Sequence, residues 1–135
     1  MKILVIDGQG GGIGRALVER LRARLPEADV LAVGANAIAT SAMLKAGASA
    51  AATGENAVRV CAKTADVIAG PIGIVLKDAM MGEITGAMAA AVAESPAKRV
   101  LVPVQRCDTR IAGADGAPLQ ALLDDAVRQI AGIEA

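Results

Sequence analysis

Histidine, tyrosine, tryptophan and phenylalanine are all missing from this chain of 135 residues. Without histidine, the chain alone cannot form Ser-His or Cys-His nucleophile pairs or a histidine metal site. Its two cysteines are too few for a four-thiolate zinc site, so we expect no metal. Since no aromatic ring is available to stack on a base, nucleic acid is not an expected partner. Any acid–base chemistry falls to Asp, Glu, Lys or Cys.

Net charge and long apolar runs are also lacking. Lys plus Arg and Asp plus Glu each total 14, so no excess charge favours nucleic acid or a membrane. No run approaches the roughly 18 apolar residues of a membrane span, and residues 3–6 are too short for a signal peptide. We therefore expect a cytoplasmic protein. Apolar residues make up 54% and glycines number 15, an apolar surplus that has to be buried.

Short apolar runs alternate with amphipathic segments along the whole chain. The repeat of Ile13, Leu17, Leu21 and Leu25 predicts a helix from about Gly12 that stops before residue 26. Strands are predicted at 3–6, 30–33, 49–52, 67–76 (interrupted) and 100–104, and further helices at about 36–46, 55–64, 85–95 and 118–130. This order predicts one α/β domain over residues 1–135, a Rossmann-like doubly wound parallel sheet of about five strands with helices on both faces.

Two of the predicted helices carry almost no charge. Between Ala35 and Thr53 the only charged residue is Lys45, and residues 84–93 have none. A helix that is apolar all round is normally buried, so we predict that one or both lie in the interface of a homo-oligomer. The alternative is that alanine-rich helices reflect composition alone.

The segment DGQGGGIG joins the first strand to the first helix. Five of the seven residues after Asp7 are glycine. Glycines let the backbone approach a phosphate, and the free N–H groups of the helix N-terminus then face the anion. We therefore predict a nucleotide-binding turn formed by Gly8, Gln9, Gly10, Gly11, Gly12, Ile13 and Gly14.

The spacing Gly8-x-x-x-Gly12-Ile13-Gly14 resembles the cofactor turn T-G-x-x-x-G-[IL]-G of the short-chain dehydrogenase/reductase family, with Asp7 in place of the threonine. The resemblance implies NAD or NADP as ligand. That family's catalytic Tyr-x-x-x-Lys has no counterpart here because the chain has no tyrosine, so its catalysis does not carry over. The alternative is that the glycines serve only the packing of strand against helix.

The ends of the second and fourth strands supply further candidate ligand groups. The second strand ends without the acid that would bind the ribose of NAD, and without an arginine. Asn36 and Thr40 open the next helix and could bind a phosphate, which favours NADP over NAD; Asn36 could equally be only a helix cap. Gly70 and Pro71 interrupt the fourth apolar run and are expected in a loop at the same edge.

Three residues are candidates for chemistry. Glu55 and Glu83 could bind ligand hydroxyls or act as a base, although each could be an ordinary acid in a first helical turn. Cys107 lies between Arg106 and Asp108, which have opposite effects on a thiol pKa, so its reactivity stays open. Cys61 lies inside a predicted helix and is expected in the core.

The whole chain resembles one small bacterial family of stand-alone proteins classed as a domain of unknown function. The segments that carry the resemblance are MKILVIDGQGGGIGRALVERL, AVGANAIATSAMLKAGA, ATGEN, ADVIAGPIGIVLKDAMMGEIT and VLVPVQRCD. Gly86 stands where a proline is usual, and Gln105-Arg106 stand where the family has Asn-His before Cys107. The resemblance implies a Rossmann-like fold and no particular activity.

Three functional hypotheses follow from the sequence. The first is an oligomeric protein that binds NADP, NAD or another phosphorylated nucleotide without turnover. The second is a small NAD(P)-dependent oxidoreductase or transferase whose active site is shared between subunits. The third is an oligomeric interaction module whose glycine turn is purely architectural.

Overall fold

The computed structural model describes residues 1–104, 109–114 and 116–133. Within these residues, strands and helices alternate as the sequence pattern predicts. The strands are β1 (Lys2–Asp7), β2 (Asp29–Gly34), β3 (Ala50–Thr53), β4 (Val67–Pro71) and β5 (Lys98–Val102). The helices are α1 (Gly12–Arg24), α2 (Ala37–Lys45), α3 (Glu55–Cys61), α4 (Gly86–Glu94) and α5 (Leu119–Ala131), and a 3-10 helix spans Ile72–Val75.

All strand pairs in the described part of the chain are parallel. The strand order is β3-β2-β1-β4-β5. β1 pairs with β2 over its whole length and ends with Asp7 beside Gly34, while its other edge pairs with β4. From β1 the chain continues to β2 and β3 on one side, and then crosses to β4 and β5 on the other side. The carboxyl ends of β1 and β4 therefore form the topological switch point, where ligands bind in open α/β sheets.

Helices cover both faces of the sheet and create two separate cores. Alternate residues of β1 point to opposite faces: Ile3 and Val5 pack with α1, α2 and α5, whereas Leu4 and Ile6 pack with α3 and α4. This double burial explains why the strands read as continuous apolar runs. The predicted Rossmann-like α/β class is confirmed.

The fourth strand differs from the predicted one. The apolar run over 67–76 forms a strand only as far as Pro71 and continues as the 3-10 helix. Gly70 and Pro71 therefore belong to β4 and not to a loop after it. A side chain at Gly70 would collide with the carbonyl oxygen of Ile6 on the neighbouring strand, so glycine is required by the sheet itself.

The alanine-rich helix α2 is buried on one side only. Ala39 and Met43 are fully buried, whereas Ile38 and Leu44 are 72% and 50% exposed. The outward side of α2 is thus more apolar than an ordinary surface helix.

Candidate functional site

The glycine turn, residues 8–14, leaves the carboxyl end of β1 and enters α1. The N–H of Gly11 donates to the carbonyl of Gly8 at 2.9 Å, which closes the turn. Gln9 and Gly11 have left-handed φ angles of 48° and 73°. The turn lies beside the end of β2, because the N–H of Ala35 donates to the carbonyl of Asp7.

Asp7 places a buried carboxylate beneath the turn. The residue is 5% exposed, and its two oxygens accept the N–H groups of Gly8 at 2.8 Å and Gly14 at 2.7 Å. Gly11, the N-cap residue of α1, has no side chain to do this, so Asp7 acts as a cap from the preceding strand. Among the described residues, the N–H groups of Gly12 and Ile13 have no acceptor.

The glycines of the turn fall into two groups. A Cβ atom added at Gly14 would lie 2.5 Å from Met43 Sδ, and one added at Gly11 would lie 2.8 Å from Ala39 Cα, so both positions are needed for packing on α2. At Gly8 the nearest atom would be Met80 Sδ, at 2.7 Å. Gly10 and Gly12 meet nothing within 4 Å. Packing therefore explains the glycines at positions 8, 11 and 14, but it does not explain Gly10 and Gly12.

Glu83 reaches the turn from the connection between β4 and α4. One of its carboxylate oxygens accepts the N–H of Gln9 at 2.6 Å, and the other accepts from Asn36 Nδ2, also at 2.6 Å. Asn36 Nδ2 donates to the carbonyl of Gln9 as well, and its Oδ1 caps α2 by accepting the N–H of Ala39. The structure thus brings together three sequence-predicted residues, Gln9, Asn36 and Glu83, in one hydrogen-bonded cluster.

A cleft opens on the other side of the turn, at the ends of β1 and β4. Its volume is about 490 Å³, within the range of small-molecule sites. Apolar side chains provide most of its wall, and Lys77 is the cation among its described residues. The lining residues are Asp7, Gln9, Ile13, Pro71, Ile72, Gly73, Leu76, Lys77, Asp78, Ala79, Met80, Met81, Val104 and Thr109.

Sequence reasoning missed the segment that forms the far wall of this cleft. Lys77, Asp78, Met80 and Met81 were not among the predicted site residues. One signal was present: Lys77 is the only basic residue between Lys63 and Lys98. A single basic residue after the end of a strand is a reasonable ligand for an anion and could have been predicted from the sequence. The positions of Met80 and Met81 depend on the path of the backbone and could not.

The remaining predicted residues lie away from the cleft or outside the described residues. The hydroxyl of Thr40 pairs with Thr53 at 2.6 Å and donates to the carbonyl of Asn36. Glu55 accepts from the hydroxyl of Thr85, which caps α4. Both side chains thereby join secondary-structure elements. Cys107, with Gln105, Arg106 and Asp108, lies outside the described residues.

Cys61, the other cysteine, ends α3 and is half-buried against the core formed with α3 and α4. No group of three candidate metal ligands occurs among the residues that the structure describes. None of the described helices has the length and apolar character needed to cross a bilayer.

Strand order and the cleft at the switch point define a Rossmann-like α/β protein. Residues 2–134 match the family described as Domain of unknown function (DUF3842), and the chain belongs to this family. This match confirms the predicted membership of a family classed as a domain of unknown function.

A search of curated proteins finds no match. Among solved structures, the chain is similar to a dodecameric FMN-dependent Ubix-like decarboxylase from Escherichia coli O157:H7. The two share 18% identity with a TM-score of 0.49, over 97% of this chain and 77% of the other.

Proposed function

We propose that this protein binds a phosphorylated nucleotide, with NADP and NAD among the candidates, in the cleft beside the glycine turn. The observation that carries the proposal is the position of the cleft: it lies at the switch point and is bordered by Gln9 and Ile13 of the turn. Apolar walls suit a base or another flat ring, and the turn suits a phosphate.

Two features of the turn favour an anion there. The N–H groups of Gly12 and Ile13 begin a 13-residue helix, and the positive end of the helix dipole favours an anion. Gly12 is exposed and would tolerate close approach. Lys77 adds a cation on the opposite wall of the cleft. Because the carboxylate of Asp7 already accepts two N–H groups of the turn, we assign Lys77 a main part in binding the anion.

We propose a binding role without turnover. Of the candidate catalytic residues, Glu83 and Glu55 accept hydrogen bonds that join parts of the fold. Turnover by the wild-type protein that is lost in a Cys107→Ser variant would instead favour the oxidoreductase or transferase alternative.

Thermal unfolding with added nucleotides tests the binding proposal. AMP, FMN, NAD and NADP should be compared, because a ligand present at ten times its Kd stabilises by about 1.4 kcal/mol and raises Tm by about 5 °C. Gly12→Asp should abolish the shift, since it places a carboxylate at the phosphate position, where no neighbouring atom obstructs it. Gly12→Ala is the matched control and should keep the shift. Absence of a shift with all four nucleotides would favour the architectural alternative.

We further propose that the protein acts as a homo-oligomer through the outward side of α2. The exposure of Ile38 and Leu44 on this helix supports the proposal. Light scattering at micromolar concentration should give a mass above that of one chain, and Ile38→Glu combined with Leu44→Glu should reduce it to a monomer. A monomeric wild-type protein would overturn this part of the proposal.

A further inference from the structure

Residues 77–83, here called the strap, form a compact loop over the end of β1. The loop is closed by its own backbone: the N–H of Asp78 donates to the carbonyl of Ile84 at 2.7 Å, and the N–H of Gly82 donates to the carbonyl of Asp78 at 3.0 Å. Met80 of the strap lies directly over Gly8, where an added Cβ would meet its sulfur. The strap therefore covers the side of the glycine turn that faces β2.

The backbone of the strap is held in an unfavourable conformation. Asp78, Met80 and Met81 have left-handed φ angles of 68°, 58° and 58°, and Gly82 follows at 90°. Residues with side chains rarely adopt this region and remain there only where their surroundings impose it. Met81 is 96% exposed and so has little packing of its own. The strap is held by its own backbone hydrogen bonds, by the packing of Ala79 and Met80 on the core, and by the contacts of Met80 and Glu83 with the turn.

Glu83 supplies the polar part of this attachment. Its carboxylate bridges the N–H of Gln9 in the turn and the side-chain amide of Asn36 at the end of β2. In a dinucleotide-binding fold, the turn carries the pyrophosphate and the end of the second strand carries the ribose of the far nucleotide. A carboxylate held at this junction repels a second phosphate and fills the path that links the two halves of a dinucleotide.

We propose that Glu83 is a specificity-determining residue that limits the ligand to one nucleotide in length. By holding the strap on the glycine turn, it closes the β2 side of the turn, whereas the cleft at β1 and β4 stays open. The inference rests on the proposed nucleotide binding and narrows it: the ligand class is a mononucleotide, and NAD or NADP binds only when the strap is displaced.

The test compares NAD with its own two halves, AMP and nicotinamide mononucleotide, by titration calorimetry. In the wild-type protein at least one half should bind tenfold more tightly than NAD. Glu83→Ala should raise the affinity for NAD relative to that of the half at least tenfold. Glu83→Gln should give a smaller gain, because it removes the charge and keeps an oxygen acceptor for Gln9. Glu94→Gln, an equal change of charge on the exposed side of α4, is the control and should alter neither.

Tighter binding of NAD than of either half by the wild-type protein, or an unchanged ratio in Glu83→Ala, would overturn the inference. Hydrogen exchange without ligand tests the attachment separately: Glu83→Ala should speed exchange of the Gln9 amide and of the strap at least tenfold, and unchanged exchange would reject the attachment. If exchange rises but neither half nor NAD binds any variant, the attachment stands, while both the proposed nucleotide binding and the role of Glu83 in ligand length are rejected.

Discussion

The two sides of the glycine turn are built in opposite ways. On the side of β2, the side chains of Asn36, Thr40 and Glu83 all have hydrogen-bond partners inside the protein. On the side of β4, the same turn borders an open cleft with Lys77 on its far wall. Polar residues at the carboxyl edge of such a sheet are therefore not all ligand groups. On the β2 side of the turn, these side chains form hydrogen bonds that hold the fold together.

The cause of the difference is the path of the chain after each strand. After β2, the chain enters α2 directly, and Asn36 is required as its cap. After β4, a 3-10 helix and the strap intervene before α4 begins at Gly86. This longer connection leaves room for the cleft and at the same time carries Glu83 across to the opposite side.

The largest expected effect on stability concerns β4, the strand that ends at the cleft. Gly70→Ala places a Cβ against the carbonyl oxygen of Ile6, a backbone atom that cannot move without breaking the β1–β4 pairing. We expect a loss of about 3 kcal/mol in the free energy of unfolding, measured with urea. Gly10→Ala, which meets nothing within 4 Å, is the control. A loss below about 1 kcal/mol would mean that β4 is less tightly fixed to β1 than the structure indicates.

The next largest effect concerns the closed side. Asn36→Ala removes the cap of α2 and one donor to Glu83, so we expect a loss of about 2 kcal/mol in urea unfolding. Asn36→Ser keeps a capping oxygen and loses only the amide, and should recover about half of that stability. Equal losses in the two variants would show that the cap contributes little.

On the open side, the charge of Lys77 can be removed with little risk to the fold, because the residue is exposed. For any nucleotide found to raise Tm, Lys77→Gln should lower the binding affinity about tenfold, equivalent to about 1.4 kcal/mol. The variant should leave unfolding in urea nearly unchanged. Lys63→Gln, an exposed lysine beyond α3, should leave the affinity as it is. Equal affinities of the Lys77→Gln and wild-type proteins would place the phosphate away from this wall.

The smallest effect is expected at the open glycine of the turn. Gly12→Ala should change the free energy of unfolding by no more than about 0.5 kcal/mol, because the added methyl group meets no atom within 4 Å. Gly14→Ala, two residues further on, should lose about 1 to 2 kcal/mol, since its Cβ would press on Met43 and Asp7. Similar losses in the two variants would mean that the whole turn is packed and that none of it is free for a ligand.

Much of the fold could be read from the sequence. Residues 3–6 and 30–33 predicted buried parallel strands, because a strand covered on both faces is apolar at every position. The spacing of Ile13, Leu17 and Leu21 predicted α1, because a helix buried on one side has an apolar residue every three to four positions. Glu83 and Asn36 were also recognised as polar residues at the ligand edge. What they do there was not predicted, since the contacts of Glu83 join residues 47 and 74 positions apart.

The succession of strands and helices along the chain and the position of the glycine turn could be predicted from the sequence, because they depend on local periodicity and on residues adjacent in the chain. The three-dimensional fold was needed to show which glycines are packed, which side of the turn is open and where the carboxylate of Glu83 lies. Those properties depend on the route of the strap across the end of β1, where left-handed residues reverse the chain. Contacts with the β1–α1 and β2–α2 connections hold the strap there.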